Sequence, residues 1–138
     1  VNQVIVDAGP LIETLVPGAQ YHEWVTRQWQ RLEPPFLTCE SVLSEAAFVL
    51  EREGSDPDLI LEMVDRGFLK ISLAVKDHTS ELRRLMRKYR KQPMSLADAC
   101  VVRLSELYAQ AIVLTLDSDF TVYRRHGNKI IPLLRPDF

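Results

Sequence analysis

The chain has 138 residues, 46% of them apolar and 26% charged, a composition that suits one globular domain with its own core over residues 1–138. A formal net charge of -2 argues against a passive nucleic-acid binder, which ordinarily carries a basic excess, but leaves room for an enzyme whose site is itself a cluster of acids. Cys39 and Cys100 lack metal-ligand spacing and read as buried thiols, a disulfide between them staying open, while the absence of a leader before Val4 and of a bilayer-length apolar run points to a cytoplasmic protein without a membrane segment.

VIVDAG, residues 4–9, is an apolar run ending in an acid and a glycine, which predicts a central parallel strand with Asp7 at its carboxyl end. Pro10 is acceptable in the first turn of a helix carrying Leu11, Ile12 and Leu15. Pro17 and Gly18 end it. A second helix over 22–32 has Trp24, Val25, Trp29 and Leu32 as apolar anchors and stops at Pro34 and Pro35. Phe36 to Thr38 reads as a strand, followed by a helix from about Ser41, with Ser41 as its cap, Ser44 and Glu45 just inside and Val42, Ala46, Val49 and Leu50 as its stripe. A helix over 57–66 closes at Gly67 and leads to a strand over 68–73.

The helix expected over 77–90 separates its faces: Leu82, Leu85, Met86 and Tyr89 form the stripe, and Arg83, Arg84, Arg87, Lys88 and Lys91 project from much of the rest. Ser95 caps the next helix, within residues 94–107, and Asp98 lies in its first turn among apolar neighbours. AIVLTL is a strand, DSDF begins a short helical turn, and Lys129 to Leu133 is expected as a last edge strand. Strands alternating with helices imply an α/β fold with a mostly parallel central sheet of about five strands, helices covering both faces.

In such a sheet Asp7 and Asp117 emerge along one edge, while Glu45 and Asp98 stand in early helical turns whose N-termini favour anions. Four converging carboxylates repel one another unless cations neutralise them. Mg²⁺ and Mn²⁺ are hard ions that take such oxygen ligands, and metal-assisted phosphodiester hydrolysis is chemistry that an acid cluster supports.

The ordered motifs resemble those of the PIN-domain family, metal-dependent nucleases that include the VapC-like toxin ribonucleases of toxin–antitoxin pairs. IVDAGPLI resembles the opening motif and puts the first acid at Asp7; LTCESVLSEAAFVL resembles the second and gives Glu45, with Glu40 as competitor. SLADACVV resembles the third and gives Asp98, and LTLDSDF the fourth, giving Asp117 with Asp119 as an additional acid. The resemblance covers essentially the whole chain and implies a three-layer α/β/α sandwich. It further implies a site holding Mg²⁺ or Mn²⁺ through Asp7, Glu45, Asp98, Asp117 and Asp119. Catalysis would rest on Asp7, Glu45, Asp98 and Asp117, with water cutting RNA to leave a 5'-phosphate and a 3'-hydroxyl. A small antitoxin protein and a homodimer are the partners it implies. Many members carry Thr or Ser two residues after the first acid, where this chain has Gly9, which leaves Ser41, Thr115 and Ser118 as candidate polar supports.

Each motif has a plainer explanation. Asp98 three residues after Ser95 also makes a capping box, an isolated helical Glu such as Glu45 ordinarily faces solvent, and Asp117 and Asp119 also suit a turn. Arg83, Arg84, Arg87, Lys88, Lys91, Arg124 and Arg125 are candidate RNA-binding cations or a solvated face. Trp24 and Trp29 read as core or partner-facing residues, and His22, His78 and His126 have no mutual metal spacing. DSDFT also matches the nucleophile motif of haloacid-dehalogenase-like phosphatases, but only 19 residues follow Asp119, whereas that family builds most of its domain after the motif. A PIN-like module that binds RNA or protein without cutting is the non-enzymatic alternative.

Overall fold

The computed structural model describes residues 3–137, so Val1, Asn2 and Phe138 lie outside the described residues. Strands β1 (Val4–Val6), β2 (Phe36–Thr38), β3 (Leu69–Ile71), β4 (Ile112–Leu114) and β7 (Leu133–Leu134) form one five-stranded sheet in the order β3-β2-β1-β4-β7. Every pairing in it is parallel, with Ile5 beside Leu37 on one side and beside Val113 on the other. Parallel strands flanked by helices bury both faces. Accordingly Val4, Ile5, Val6, Phe36, Leu37, Val113 and Leu114 are all at most 1% exposed.

The flanking helices are α1 (Ala8–Leu15), α2 (His22–Arg31), α3 (Glu40–Arg52), α4 (Asp58–Asp65), α5 (Thr79–Lys88) and α6 (Leu96–Leu107). Helix α6 is the most deeply set, with Val101, Val102 and Leu104 fully buried. Trp29 and Trp24 pack against the core. The Trp29 ring meets Phe36 and Phe68 at 4.8 and 5.2 Å, and its Nε1 donates to the Thr14 hydroxyl at 2.7 Å.

Two local expectations are corrected. Helix α3 starts at Glu40 with the extended residue Cys39 as its N-cap, so Ser41 is not the cap. Glu45 therefore stands in the second turn, beyond the unpaired N–H groups that would favour its charge. The edge strand is Leu133–Leu134, while Lys129–Ile130 (β6) pairs antiparallel with Arg124–Arg125 (β5) in a separate hairpin. Gly127 and His126, both at positive φ (88° and 50°), make that reversal, which sequence patterning over 129–133 cannot distinguish from one continuous strand.

The hairpin is fastened to α6. Glu106 Oε2 accepts from the His126 N–H at 2.7 Å and Oε1 from Arg103 Nη1 at 3.0 Å, and Arg103 Nε donates to His78 Nδ1 at 3.2 Å just before α5. The Glu106 side chain is only 3% exposed. Glu106→Ala leaves a half-buried guanidinium and the His126 amide without their acceptor, so we expect a loss of about 1–3 kcal/mol, measured by urea denaturation.

Candidate active site

The chain turns from one half of the sheet to the other between β1 and β4, and there the strand ends open onto a cleft of ≈ 650 Å³. Asp7, Glu45, Asp98, Asp117 and Asp119 line it, together with Gly9, Ile12, Val49, Pro93 and Leu116.

Asp7 follows β1 in extended conformation, its N–H donating to the Leu114 carbonyl at 3.0 Å, and is 5% exposed. The buried Thr115 hydroxyl donates to Asp7 Oδ2 at 2.9 Å and accepts from the Asp117 N–H at 3.0 Å, so one side chain spaces two of the acids. Asp7 Oδ1 is buried and has no protein partner among the described residues. An unpaired buried acceptor costs about 1–3 kcal/mol, which makes this oxygen a natural point for a ligand. Burial pushes the Asp7 carboxyl up to about 7, with the charges of Asp98 and Glu45 adding to the shift and bonds from Ala8 and Thr115 opposing it.

Asp98 both caps and faces the cleft. Ser95 Oγ accepts from the Asp98 N–H at 3.0 Å, and Asp98 Oδ2 accepts from the Ser95 N–H at 3.2 Å, a complete capping box. The Tyr123 hydroxyl donates to the same oxygen at 3.2 Å. Burial raises the Asp98 carboxyl, the Asp117 charge adds to this, and its hydrogen bonds pull the other way. Glu45, solvent-exposed as a residue, is raised first by desolvation within the cleft and then by Asp98 and Asp117. Asp7, Glu45 and Asp98 are thus each raised in part by acidic neighbours, although they come from the end of β1, from α3 and from α6.

Asp117 caps a 3-10 turn over Ser118–Thr121, its Oδ1 accepting from the Asp119 N–H at 2.9 Å, so the turn role and a place in the cleft coexist. Glu40 lines a neighbouring groove with Ser41, Ser44 and Phe48. Of the three polar supports considered, Thr115 holds an acid directly, Ser118 lines the cleft, and Ser41 lies against the buried Cys100 thiol. Cys39 and Cys100 are free thiols that hydrogen-bond each other, and this bond, with burial, raises the Cys39 thiol. A Cβ at Gly9 would meet Leu116 at 3.4 Å, ordinary contact. Tyr123 was not anticipated from sequence, where an isolated Tyr three residues after Phe120 reads as core.

The cations divide into two groups. Arg83, Arg84, Arg87, Lys88 and Lys91 are exposed, Lys88 donating to the Gly127 carbonyl. Arg124 Nη1 is committed to the carbonyls of Thr121, Val122 and Tyr123, and Arg125 Nη1 to those of Ser105 and Ala109. Among the described residues no three His, Cys, Asp or Glu side chains are drawn together tightly enough to form a ready-made metal cage. None of their helices is long and apolar enough to cross a membrane.

Fold and cleft together define a parallel α/β protein with an acid-lined opening at its topological switch point. A family model for the PIN domain matches residues 4–125, and the chain belongs to that family. Among solved structures it resembles Mycobacterium tuberculosis VapC20, described as a sarcin-ricin loop cleaving toxin, at 16% identity with a TM-score of 0.76, covering 87% of this chain and 94% of that one. None of the curated proteins compared matches the chain.

Since Asp7 is raised above its ordinary 3.8, the folded state holds its proton more tightly than the unfolded state. The stability it contributes is present at low pH and is lost as pH rises from about 4 to about 7. In EDTA, Asp7→Asn should therefore stabilise the protein at pH 8 by roughly 1–4 kcal/mol, the gain fading towards pH 4. Urea denaturation at the two pH values checks both sign and window.

Proposed function

We propose that the chain is a metal-dependent ribonuclease that hydrolyses RNA phosphodiester bonds at Asp7, Glu45, Asp98 and Asp117, acting in the cytoplasm as the toxin of a toxin–antitoxin pair. The observation that carries this reading is the buried Asp7 Oδ1, without a partner among the described residues, in a cleft shared with Glu45, Asp98 and Asp117, where burial first and acidic neighbours second raise the Asp7, Glu45 and Asp98 carboxyls. Family membership supports it.

The donors are all oxygens, which suits Mg²⁺ or Mn²⁺ held by Asp7, Glu45, Asp98, Asp117 and, beside them, Asp119. Magnesium keeps several of its waters and needs only one or two direct carboxylates, so a loose arrangement of acids is compatible with it. When bound, the ion supplies polarisation of the scissile phosphate and activation of the attacking water. The chain's own contribution is placement. Thr115 spaces Asp7 from Asp117, the capping box holds Asp98 at the mouth of α6, and α3 brings Glu45 across the cleft.

RNA phosphates would lie along the exposed cations Arg83, Arg84, Arg87, Lys88 and Lys91, because the turn that follows α5 runs through Gln92 and Pro93 to the cleft rim at Ser95. Arg124 and Arg125 have their Nη1 groups engaged with carbonyls and would contribute through their remaining donors. Phe48, 63% exposed, and Leu96, 41% exposed, share a groove with Glu45 and form the surface that a homodimer partner or a small antitoxin would cover.

A non-catalytic binding module is the second reading, motivated by the lack of a preassembled cage among the described residues. Cleavage of an RNA panel, a sarcin-ricin loop hairpin included, with Mg²⁺, Mn²⁺ or EDTA separates the two. We expect metal-dependent cutting that falls roughly 100-fold or more in an identically purified, folded Asp98→Asn protein. Metal-independent or mutation-insensitive products would sink the nuclease reading, and tight binding without products would favour the module. Replacing Arg83, Arg84 and Arg87 together by Gln should weaken RNA binding and flatten its salt dependence by up to about three counterions, measured by fluorescence anisotropy across a salt series.

A further inference from the structure

Asp98 enters the cleft with one of its oxygens already claimed. Oδ2 accepts from the Ser95 N–H and from the Tyr123 hydroxyl, each at 3.2 Å. Ser95 belongs to the cap of the same helix, but Tyr123 arrives from beyond the turn that carries Asp117 and Asp119. Capping explains the first donor and leaves the second without a local purpose.

Tyr123 has no accessible surface, and its ring is held edge-on by Tyr89 at 5.1 Å and Phe120 at 5.2 Å. Its own N–H donates to the Asp119 carbonyl at 3.1 Å, and the Tyr89 hydroxyl accepts from the Arg124 N–H at 2.8 Å. The phenol is therefore fixed from both sides. A phenol ordinarily titrates at about 10, so its hydroxyl is a donor at neutral pH. The terminal torsion of an aspartate is broad and poorly defined by itself. A second donor on one oxygen narrows it.

Building on the metal-dependent site proposed above, we propose that Tyr123 is a positioning residue which, by donating to Asp98 Oδ2, sets the rotation of the carboxylate and presents Oδ1 to the divalent cation. It acts through Asp98 and touches neither the substrate nor the ion. The same bond ties the turn of Asp117 and Asp119 to the start of α6, so acids from two elements keep one spacing. Groups of this kind, which orient a ligand from behind, typically change metal affinity 10- to 100-fold when removed.

The test is Mn²⁺ binding by titration calorimetry on the wild type, Tyr123→Phe, Asp98→Asn, the double variant and Phe120→Leu. Tyr123→Phe keeps the ring and deletes only the hydroxyl, while Phe120→Leu loosens the same aromatic cluster and leaves the hydroxyl in place. We expect Tyr123→Phe to weaken Mn²⁺ binding about 10-fold or more, to add nothing in the Asp98→Asn background, and Phe120→Leu to lower the melting temperature without weakening Mn²⁺. Wild-type affinity in Tyr123→Phe beside a loss in Asp98→Asn overturns the positioning role and leaves the metal site standing. Wild-type affinity in Asp98→Asn overturns the metal site itself and the positioning role with it. An equal loss in Phe120→Leu, or a further loss in the double variant, assigns the effect to general loosening and overturns it too.

Discussion

Burial of carboxylates that also repel one another is the constraint around which the molecule is arranged. Asp7 would gain several kcal/mol by moving into water, yet it is sealed at the end of a strand buried on both faces. That position is tolerable only because the rest of the fold is stiff. Three-residue parallel strands bring little stability alone, so the burial of α6 and the packing of α1 on α3 must hold the strand ends in place. The fold spends part of its stability keeping acids close, the reverse of what folding alone would favour and a common signature of a functional site.

Hydrogen bonds around the acids have a shared logic. Each of the two most buried carboxylates of the cleft, Asp7 and Asp98, has its Oδ2 tied by a neutral hydroxyl from another element: Thr115 for one, Tyr123 for the other. Hydroxyls fix direction without adding charge. A lysine or arginine in their place would relieve the repulsion by itself. No Lys or Arg is among the described residues that line the cleft; Arg83, Arg84, Arg87 and Lys88 are exposed on α5, and Arg125 of β5 closes the end of α6.

Much of this was legible in the sequence because it rests on strong, local signals. The apolar runs before Asp7 and Asp117, Ser95 three residues before Asp98, and the prolines and glycines between elements specify the strand ends, the capping box and the order of the fold. Legibility failed where the controlling interaction is distant or the pattern ambiguous. Cys39 takes the N-cap of α3 because its extended backbone follows directly from β2, which overrides the preference for Ser41. The pairing of β6 with β5, rather than its continuation into β7, depends on the reversal at His126 and Gly127, and on a glutamate in α6 that accepts the His126 amide. Tyr123 lies 25 residues from Asp98 in a stretch that reads as ordinary core, and only the folded chain reveals the bond between them.

Gly9 stands at the second position of α1, on the wall of the acid cleft, without a positive φ and with room for a methyl group against Leu116. Neither backbone conformation nor crowding therefore demands a glycine there. The wall and the acids are separable parts of the molecule. A single change at position 9 to a small side chain can therefore alter the polarity beside the carboxylates without disturbing strand, helix or core.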